Sequence, residues 1–463
     1  MRQSQSYHQT SSTNPEGAAA CASMASPGPS MSAITPKPIP STLYWLVALA
    51  IGSSFYVAIE PAPTDILFLV LFIAMLGKTG MRFPLDLNPV LTIGLLSFVA
   101  GSALSLVTSA LAGSAILYIA ITFYMIISWY LIVTLLANYG FPMWELIQRA
   151  LLIAAVIGAL IGFISHFSTA LQDYLGVQSS YGDRARGAFK DPNVYGPFLC
   201  AALLLVINRM VVRGLFSILS VGLLCLFALE ILAALSRGAY VNLAVTLSAY
   251  FVLIFFVVSR TRWISRSLVI ISVGSVLIIA ASVVFLRASG LEELFAHRLG
   301  LQGYDEKRFA TQSLALESLV HTPFGVGPGQ SQDILHMSPH SLLIRIAIEN
   351  GLFSLIAFFI FLTAMLWISL CGAWRRGPFQ NVYVCCTAIT LGILVNSLVI
   401  DSLHWRHFFL FLAIPIGLQR YERWTAPQRS ATALLSDSPN GRYSRAAAGS
   451  GTPSLSTNRS LKN

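Results

Sequence analysis

The sequence predicts an all-α polytopic membrane protein with about 12 transmembrane helices and both termini cytoplasmic, and three observations predict it. Long apolar runs recur from Leu43 to Leu418, and each is long enough to be read as a membrane span rather than as part of a soluble core. The chain is 56% apolar and only 10% charged, against roughly 25% charged in ordinary soluble domains. The basic residues collect in alternate inter-span segments, as the positive-inside rule requires. The runs do not alternate residue by residue, so a transmembrane barrel is excluded.

Residues 1–40 are rich in Ser, Pro, Ala and Thr; they bury too little to fold and are expected to be a disordered cytoplasmic segment. No cleavable signal peptide is expected, because this polar lead precedes the first apolar run. The membrane domain is expected over 41–420, with spans at 43–60, 64–77, 89–110, 115–137, 147–165, 193–212, 215–235, 239–258, 267–286, 341–370, 381–400 and 403–419. The second and last are short against the ~20 residues a bilayer needs. Pro415 in the last span is tolerable where neighbouring groups satisfy the freed backbone carbonyl. Residues 421–463 form a basic tail, expected to be disordered and cytoplasmic.

In this arrangement 19 of the 29 basic residues fall on the inner side, and every inner loop carries at least one. The net charge of +10 therefore marks topology and anionic lipid rather than nucleic acid, which is not an expected partner. Cys200, Cys225, Cys371, Cys385 and Cys386 lie in or beside apolar runs and no CxxC pair exists, so neither a disulfide framework nor a thiolate metal site is expected. The remaining basic residues are informative because topology disfavours them. Arg184, Arg186, Lys190, Arg237, Arg287, Arg298, Lys307, Arg308, Arg345 and Arg406 all map to the outer side, as do all histidines except His8. Two outer segments are long, about 166–192 and 287–340. Any chemistry faces outward.

Three constellations stand there. Arg184, Arg186 and Lys190 precede Asp191-Pro192-Asn193 at a helix start, a compact anion-binding patch or, more blandly, a headgroup anchor. Ser236-Arg237-Gly238 fills a very short outer turn, and Glu230 lies two helical turns earlier inside a span. A buried carboxylate there is functional or paired, and a structural Glu230–Arg237 pair is one reading. The third stretch opens with 290–299 and 305–320, whose spacing predicts two short surface helices. It continues through the turn Pro323 to Gly329, expected to expose backbone amides, to His340, Arg345, Glu349 and Gly351. Arg345 and Glu349 stand at i,i+4 spacing and can pair. His336 and His340 are four apart, but Pro339 lies between them, and no metal site is expected. His340 directly precedes a long helix at the outer boundary; it is either a proton acceptor near neutral pH or a helix-capping residue. Asp401, His404 and Arg406 can reach the same cavity.

In this order and on this side, these residues resemble the O-antigen ligase/polymerase family of bacterial envelope glycosyltransferases. The resemblance covers roughly 180–360, including the outer loop 287–340 between spans nine and ten. It rests on Arg184/Arg186 to Asn193, on Ser236 to Ala239, on Pro323 to Gly329, and on His340-Ser341 separated by nine residues from Gly351, with Glu349 before the glycine. Ser354 departs from the pattern, where glycine is frequent. The resemblance implies an undecaprenyl-pyrophosphate-linked glycan as donor, lipid A-core or a growing lipid-linked glycan as acceptor, and an inner-membrane enzyme working at the periplasmic face without metal or cofactor. It further implies His340 as catalytic base, with Arg184, Arg186, Arg237, Arg308 and Arg345 as candidates for the pyrophosphate and Glu230, Glu349 and Gly351 in support. A polymerase of the same family shares this chemistry. The reading from a different class is a twelve-helix transporter or flippase, which the long outer loop after span nine, dividing the chain unequally, argues against.

Overall fold

The computed structural model describes residues 37–78, 80–167, 184–214, 216–300, 303–335 and 339–437. The expected disorder of the first 36 residues and of 438–463 lies outside the described residues, as do 168–183 of the first outer segment and His336. The chain divides into two units, 37–421 and the flanking 1–36 with 422–463. In the flanking unit the described residues are helical to Asp437, where the sequence led us to expect a disordered tail from 421. The Ala- and Leu-rich run there favours helix. All remaining elements belong to the larger unit.

The described residues contain no strand beyond an isolated bridge between Val57 and Phe189. The helices are α1 (Ser41–Gly52), α2 (Pro63–Leu76), α3 (Pro89–Leu104), α4 (Ala112–Tyr139), α5 (Phe141–Phe167), α6 (Pro192–Arg213), α7 (Ile218–Ala233), α8 (Arg237–Val252), α9 (Thr261–Val269), α10 (Ser275–Ser289), α11 (Glu292–Leu299), α12 (Gly303–Ser318), α13 (Ser331–Leu335), α14 (Leu342–Trp374), α15 (Gln380–Asn396) and α16 (Arg406–Asp437). Seven segments are long and apolar enough to cross a membrane: Pro89–Thr108, Gly113–Tyr139, Phe141–Ser165, Pro192–Arg213, Arg237–Val258, Thr261–Ser289 and Leu342–Trp374. Shorter apolar helices cover Ser41–Phe55, Pro63–Leu76, Ile218–Ala233 and Gln380–Asn396. The molecule is an all-α membrane protein.

Local chemistry sets the helix starts. Proline opens α2, α3 and α6, where its missing N–H is not needed. Asn88, Asp191, Ser217 and Ser236 each accept a backbone N–H as N-cap. Helix α6 is the centre of the bundle, with 89% of its apolar window buried, whereas Thr261–Ser289 is 11% buried and lies at the edge. Small residues permit the closest approaches. A Cβ on Gly94 of α3 would sit 2.9 Å from the Phe361 nitrogen of α14, and one on Gly101 would strike Ser354 Oγ. This explains the departure at Ser354: the glycine at that crossing is supplied by α3, and Ser354 turns its hydroxyl back onto the Asn350 carbonyl at 2.7 Å.

Polar contacts between loops fall into two separate sets. One set ties Lys37 to Gly80, Arg82 to Asn138, Arg420 to Asp86, Arg209 to Gln148, Arg213 to Glu145 and Arg260 to Gln380. The other ties Val57 to Ala188, Lys190 to Glu60, Ala185 to Ala233, Arg237 to Asp305, Leu342 to Ser397 and Arg406 to Asp65. The second end carries the candidate site.

Candidate functional site

The loop before α6 is fastened from three sides. Ala185 N–H donates to the Ala233 carbonyl at 2.9 Å, and Val57 N–H donates to the Ala188 carbonyl at 2.8 Å. Gly187 has φ +52°, and a Cβ there would stand 2.8 Å from the Gly158 carbonyl and 2.9 Å from the Tyr195 ring. Only glycine fits. Arg184 is built into this frame: Nε donates to the Ala234 carbonyl at 3.0 Å and Nη2 to Asn193 Oδ1 at 3.1 Å. Asn193 Oδ1 also accepts from Ser236 Oγ at 2.8 Å. Arg184 thus joins the first constellation to the Ser236-Arg237-Gly238 turn, while Arg186 donates at 3.3 Å to the Lys190 carbonyl of its own loop. Of the two, Arg184 bridges to the Ser236 turn and Arg186 braces its own loop.

The Glu230–Arg237 pair considered from the sequence is not formed. Glu230, fully buried, accepts from Tyr195 OH at 2.8 Å, and a Cβ on Gly162 of α5 would strike its carboxylate. Since Tyr195 packs against Gly187 and lies 5.5 Å ring to ring from Phe189, Glu230 shapes the Arg184–Asn193 loop from beneath. Arg237 turns outward and donates through Nη2 to Asp305 Oδ1 and Oδ2 at 2.5 and 2.7 Å, and through Nη1 to the Gly300 carbonyl at 3.1 Å.

Asp305 begins the packed face of α12. Arg308 lies one turn on, and Gln312 one turn further donates to the Pro339 carbonyl at 3.0 Å. One helix face thus holds Arg237, directs Arg308 to the His340 environment and braces the residue before His340. The Arg237–Asp305 pair is part-exposed, with Arg237 at 31%, so its worth is about 1 kcal/mol or less. Asp305→Ala is therefore expected to speed amide exchange over 303–318 by a few fold, read by hydrogen–deuterium exchange mass spectrometry, with α8 unchanged. Unaltered exchange over 303–318 would mean that apolar contacts alone hold α12.

The glycine-rich turn differs from its expected role. Its amides are consumed: Val326 and Gly327 N–H donate to the Ile348 and Glu349 carbonyls at 2.8 and 3.0 Å, and Gly329 N–H to Glu349 Oε2 at 2.8 Å. Glu349 Oε1 accepts from Ser331 Oγ at 2.6 Å and Arg345 Nε at 2.9 Å. Gly351, φ +84°, interrupts α14 where a Cβ would come within 2.6 Å of the Phe324 carbonyl carbon. Thr108 donates to the Gly325 carbonyl at 2.9 Å and Ala110 N–H to Gln330 Oε1 at 3.0 Å. The turn is a latch between α14 and the α3–α4 loop, not an anion cradle. Arg345 is committed as well, to Glu349, to Asp401 Oδ2 at 2.6 Å and to the face of Tyr118 at 4.9 Å. Arg406 is held by Asp65 and His404 by Thr122, at 2.6 and 3.0 Å.

His340 stands at the centre of these elements. Its backbone takes φ +48°, uncommon for a residue with a Cβ and imposed here by the bracing on both sides. Pro339 is held by Gln312, and Leu342 N–H donates to the Ser397 carbonyl at 2.9 Å. Among the described residues its ring has no hydrogen-bond partner. Burial, then the Arg308 charge, hold its imidazole below the usual histidine range; Arg345 acts in the same sense, while Asp191 and Asp401 oppose them. The ring is therefore neutral at neutral pH and can take a proton. Sequence reasoning did not single out Tyr118, Tyr195, Asp305 or Ser331; only Asp305, in the helical register of Arg308, carried a local signal. Among the described residues no three His, Cys, Asp or Glu side chains converge as a metal site. Compared with known proteins, the chain matches no family model and is significantly similar to no curated protein.

Proposed function

We propose that the chain is an O-antigen ligase-like glycosyltransferase of the bacterial inner membrane, crossing it twelve times with both termini cytoplasmic and the His340 end periplasmic. The observation that carries this reading is a half-buried imidazole with no hydrogen-bond partner among the described residues, held towards its neutral form, near arginines on a face where the expected topology disfavours cations. That juxtaposition suits a reaction in which a hydroxyl loses a proton while an anionic group departs.

In the proposed reaction the donor is a glycan on undecaprenyl pyrophosphate and the acceptor a hydroxyl of lipid A-core or of a growing glycan. His340 takes the acceptor proton as the hydroxyl oxygen bonds to the anomeric carbon from the side opposite the pyrophosphate. The bond to the pyrophosphate oxygen breaks with inversion, and the lipid pyrophosphate leaves with the electron pair. Arg186, Arg237 and Arg308 balance its charge; Arg184, Arg345, Glu230, Glu349 and Gly351 position them. No metal ion or cofactor is required, since guanidinium forks meet phosphate oxygens directly.

The test is a gel of lipopolysaccharide and secreted polysaccharide from a native host lacking the gene, complemented with wild type or His340→Ala. Bare lipid A-core with glycan stranded on its carrier supports a ligase; core capped by one repeat, or loss of a secreted polymer, supports a polymerase. No glycan change with the gene expressed would return the reading to a transporter. Arg186→Lys keeps the charge and loses the fork; it is expected to lower turnover by roughly 100-fold at unchanged expression. Normal turnover would remove Arg186 from the site.

A further inference from the structure

Helix α12 carries an exposed apolar stripe that adjoins the face used by the candidate site. Phe309 and Leu316 are each 52% exposed, and Val320, in the turn after the helix, is 79% exposed. Their spacing of seven and four residues places them on one side of the helical path. The face with Asp305 and Gln312 lies beside this stripe and packs on the protein, with Ala315 buried against Val326 and Ile348. Glu306 and Glu317 are exposed beyond the stripe. An apolar stripe of this kind between a packed face and a charged edge belongs to an interfacial helix.

The course of the stripe indicates its occupant. Phe324, 63% exposed, is joined to the outer turns of α14: its carbonyl carbon abuts Gly351, and Leu352 N–H donates to the Pro323 carbonyl at 3.0 Å. From there Phe353, Ile356 and Phe359 continue as exposed apolar residues down a helix long and apolar enough to cross the membrane. The exposed apolar surface of α14 is therefore joined through Phe324 to the end of α12, with His321 and Thr322 between Val320 and Phe324. We propose that α12 docks by Phe309, Leu316 and Val320 into the membrane leaflet on the His340 side, the occupant of this face being lipid acyl chain. With its stripe in the leaflet, the adjoining face presents Asp305 to Arg237 and Arg308 to the surroundings of His340. The lipid surface is then the third support of the site, beside the Arg237 pair and the Gln312 brace. This inference rests on the membrane fold and is independent of the transferase reading, so its test reads no activity.

The experiment uses the full chain in vesicles of phosphatidylethanolamine and phosphatidylglycerol whose acyl chains carry bromine. A fluorescent amino acid, acridonylalanine, replaces Phe309, Leu316 or Val320 singly, with Phe359 of α14 as the membrane reference. Leu314 and Glu317 serve as references off the stripe; Leu314 is 52% exposed and apolar, but on the other flank. Loss of most fluorescence at the three stripe positions, comparable to Phe359, with little loss at Leu314 and Glu317, is the expected result. Quenching at the stripe no greater than at Leu314 and Glu317 overturns it, as does cross-linking between copies through the stripe with bromine ineffective. The unaltered protein gives an independent reading: phosphatidylcholine with a diazirine on its acyl chain should label within 309–324, and labelling confined to the spans would overturn the proposal.

Discussion

His340→Ala is expected to lower the proposed glycan transfer by about 100- to 10,000-fold, the range over which a positioned general base contributes, while the protein stays folded and inserted. The second expectation comes from separation of roles. A residue that merely caps α14 would make itself felt in stability, but the N-cap position is Ser341, and the His340 ring is bonded to nothing among the described residues. Thermal unfolding of His340→Ala should therefore match wild type closely. The pH profile adds a sign. Burial, then Arg308, hold the imidazole below its ordinary value of 6.5, with Arg345 adding and Asp191 and Asp401 opposing. The base form thus predominates at neutral pH, and the rate falls as the pH drops through the lowered pKa and the ring protonates. Arg308→Gln removes one of the charges that depress it, so the fall should begin at higher pH. An acid limb in Arg308→Gln displaced downward, or a His340→Ala enzyme with wild-type turnover, would end the assignment of His340 as base.

The arginine side of the site is where sequence and structure part company most usefully. The arginines expected on the outer side could be singled out because they break the expected positive-inside pattern, which needs no knowledge of contacts. Their partners were not. Arg237 meets Asp305 across 68 residues, Arg345 meets Asp401 across 56, and Tyr195 reaches Glu230 across 35. No local spacing encodes such pairs. The i,i+4 pair of Arg345 and Glu349 was legible because a helix brings those positions together whatever the tertiary fold, and it forms at 2.9 Å. Helix positions were legible for a similarly local reason. A bilayer demands long apolar runs, and α2, α4 and α6 begin and end close to the expected limits, whereas α3 ends and α5 begins well before theirs.

The glycine-rich turn shows the limit of motif reading. Glycines at alternate positions do signal positive φ, and Gly325, Gly327 and Gly329 adopt +84°, +108° and +75°. Positive φ says nothing of where the amides point. They point at α14, because Glu349 is buried there and must be satisfied. The same requirement sorts the five candidate arginines. A guanidinium already held by two carboxylates and an aromatic face, as Arg345 is, has its charge answered within the protein and is the weakest of the five candidates for a leaving phosphate in the proposed reaction.

Glu349→Ala is expected to be the most destabilising single substitution at this end of the bundle, by about 2–6 kcal/mol, from two stranded buried donors at about 1–3 kcal/mol each, with Arg345 left to Asp401. The side chain is fully buried and satisfies three donors, the Gly329 amide, the Ser331 hydroxyl and Arg345 Nε. Removing it strands two neutral donors and shifts the whole of Arg345 onto Asp401. Glu349→Gln keeps the volume and one acceptor oxygen but faces Arg345 with an amide, so it should fall between wild type and alanine. The loss should appear as a lower thermal unfolding midpoint in detergent and as proteolysis within 321–335, because the turn from Pro323 to Gln330 has Glu349 and its neighbours as its main anchor on α14. Asp401→Asn supplies the discriminating partner. If Asp401 and Glu349 act as one network around Arg345, the double substitution costs less than the sum of the singles. Strict additivity, or a Glu349→Gln protein as stable as wild type, would mean that the turn is held by backbone pairing alone and that the carboxylate is dispensable.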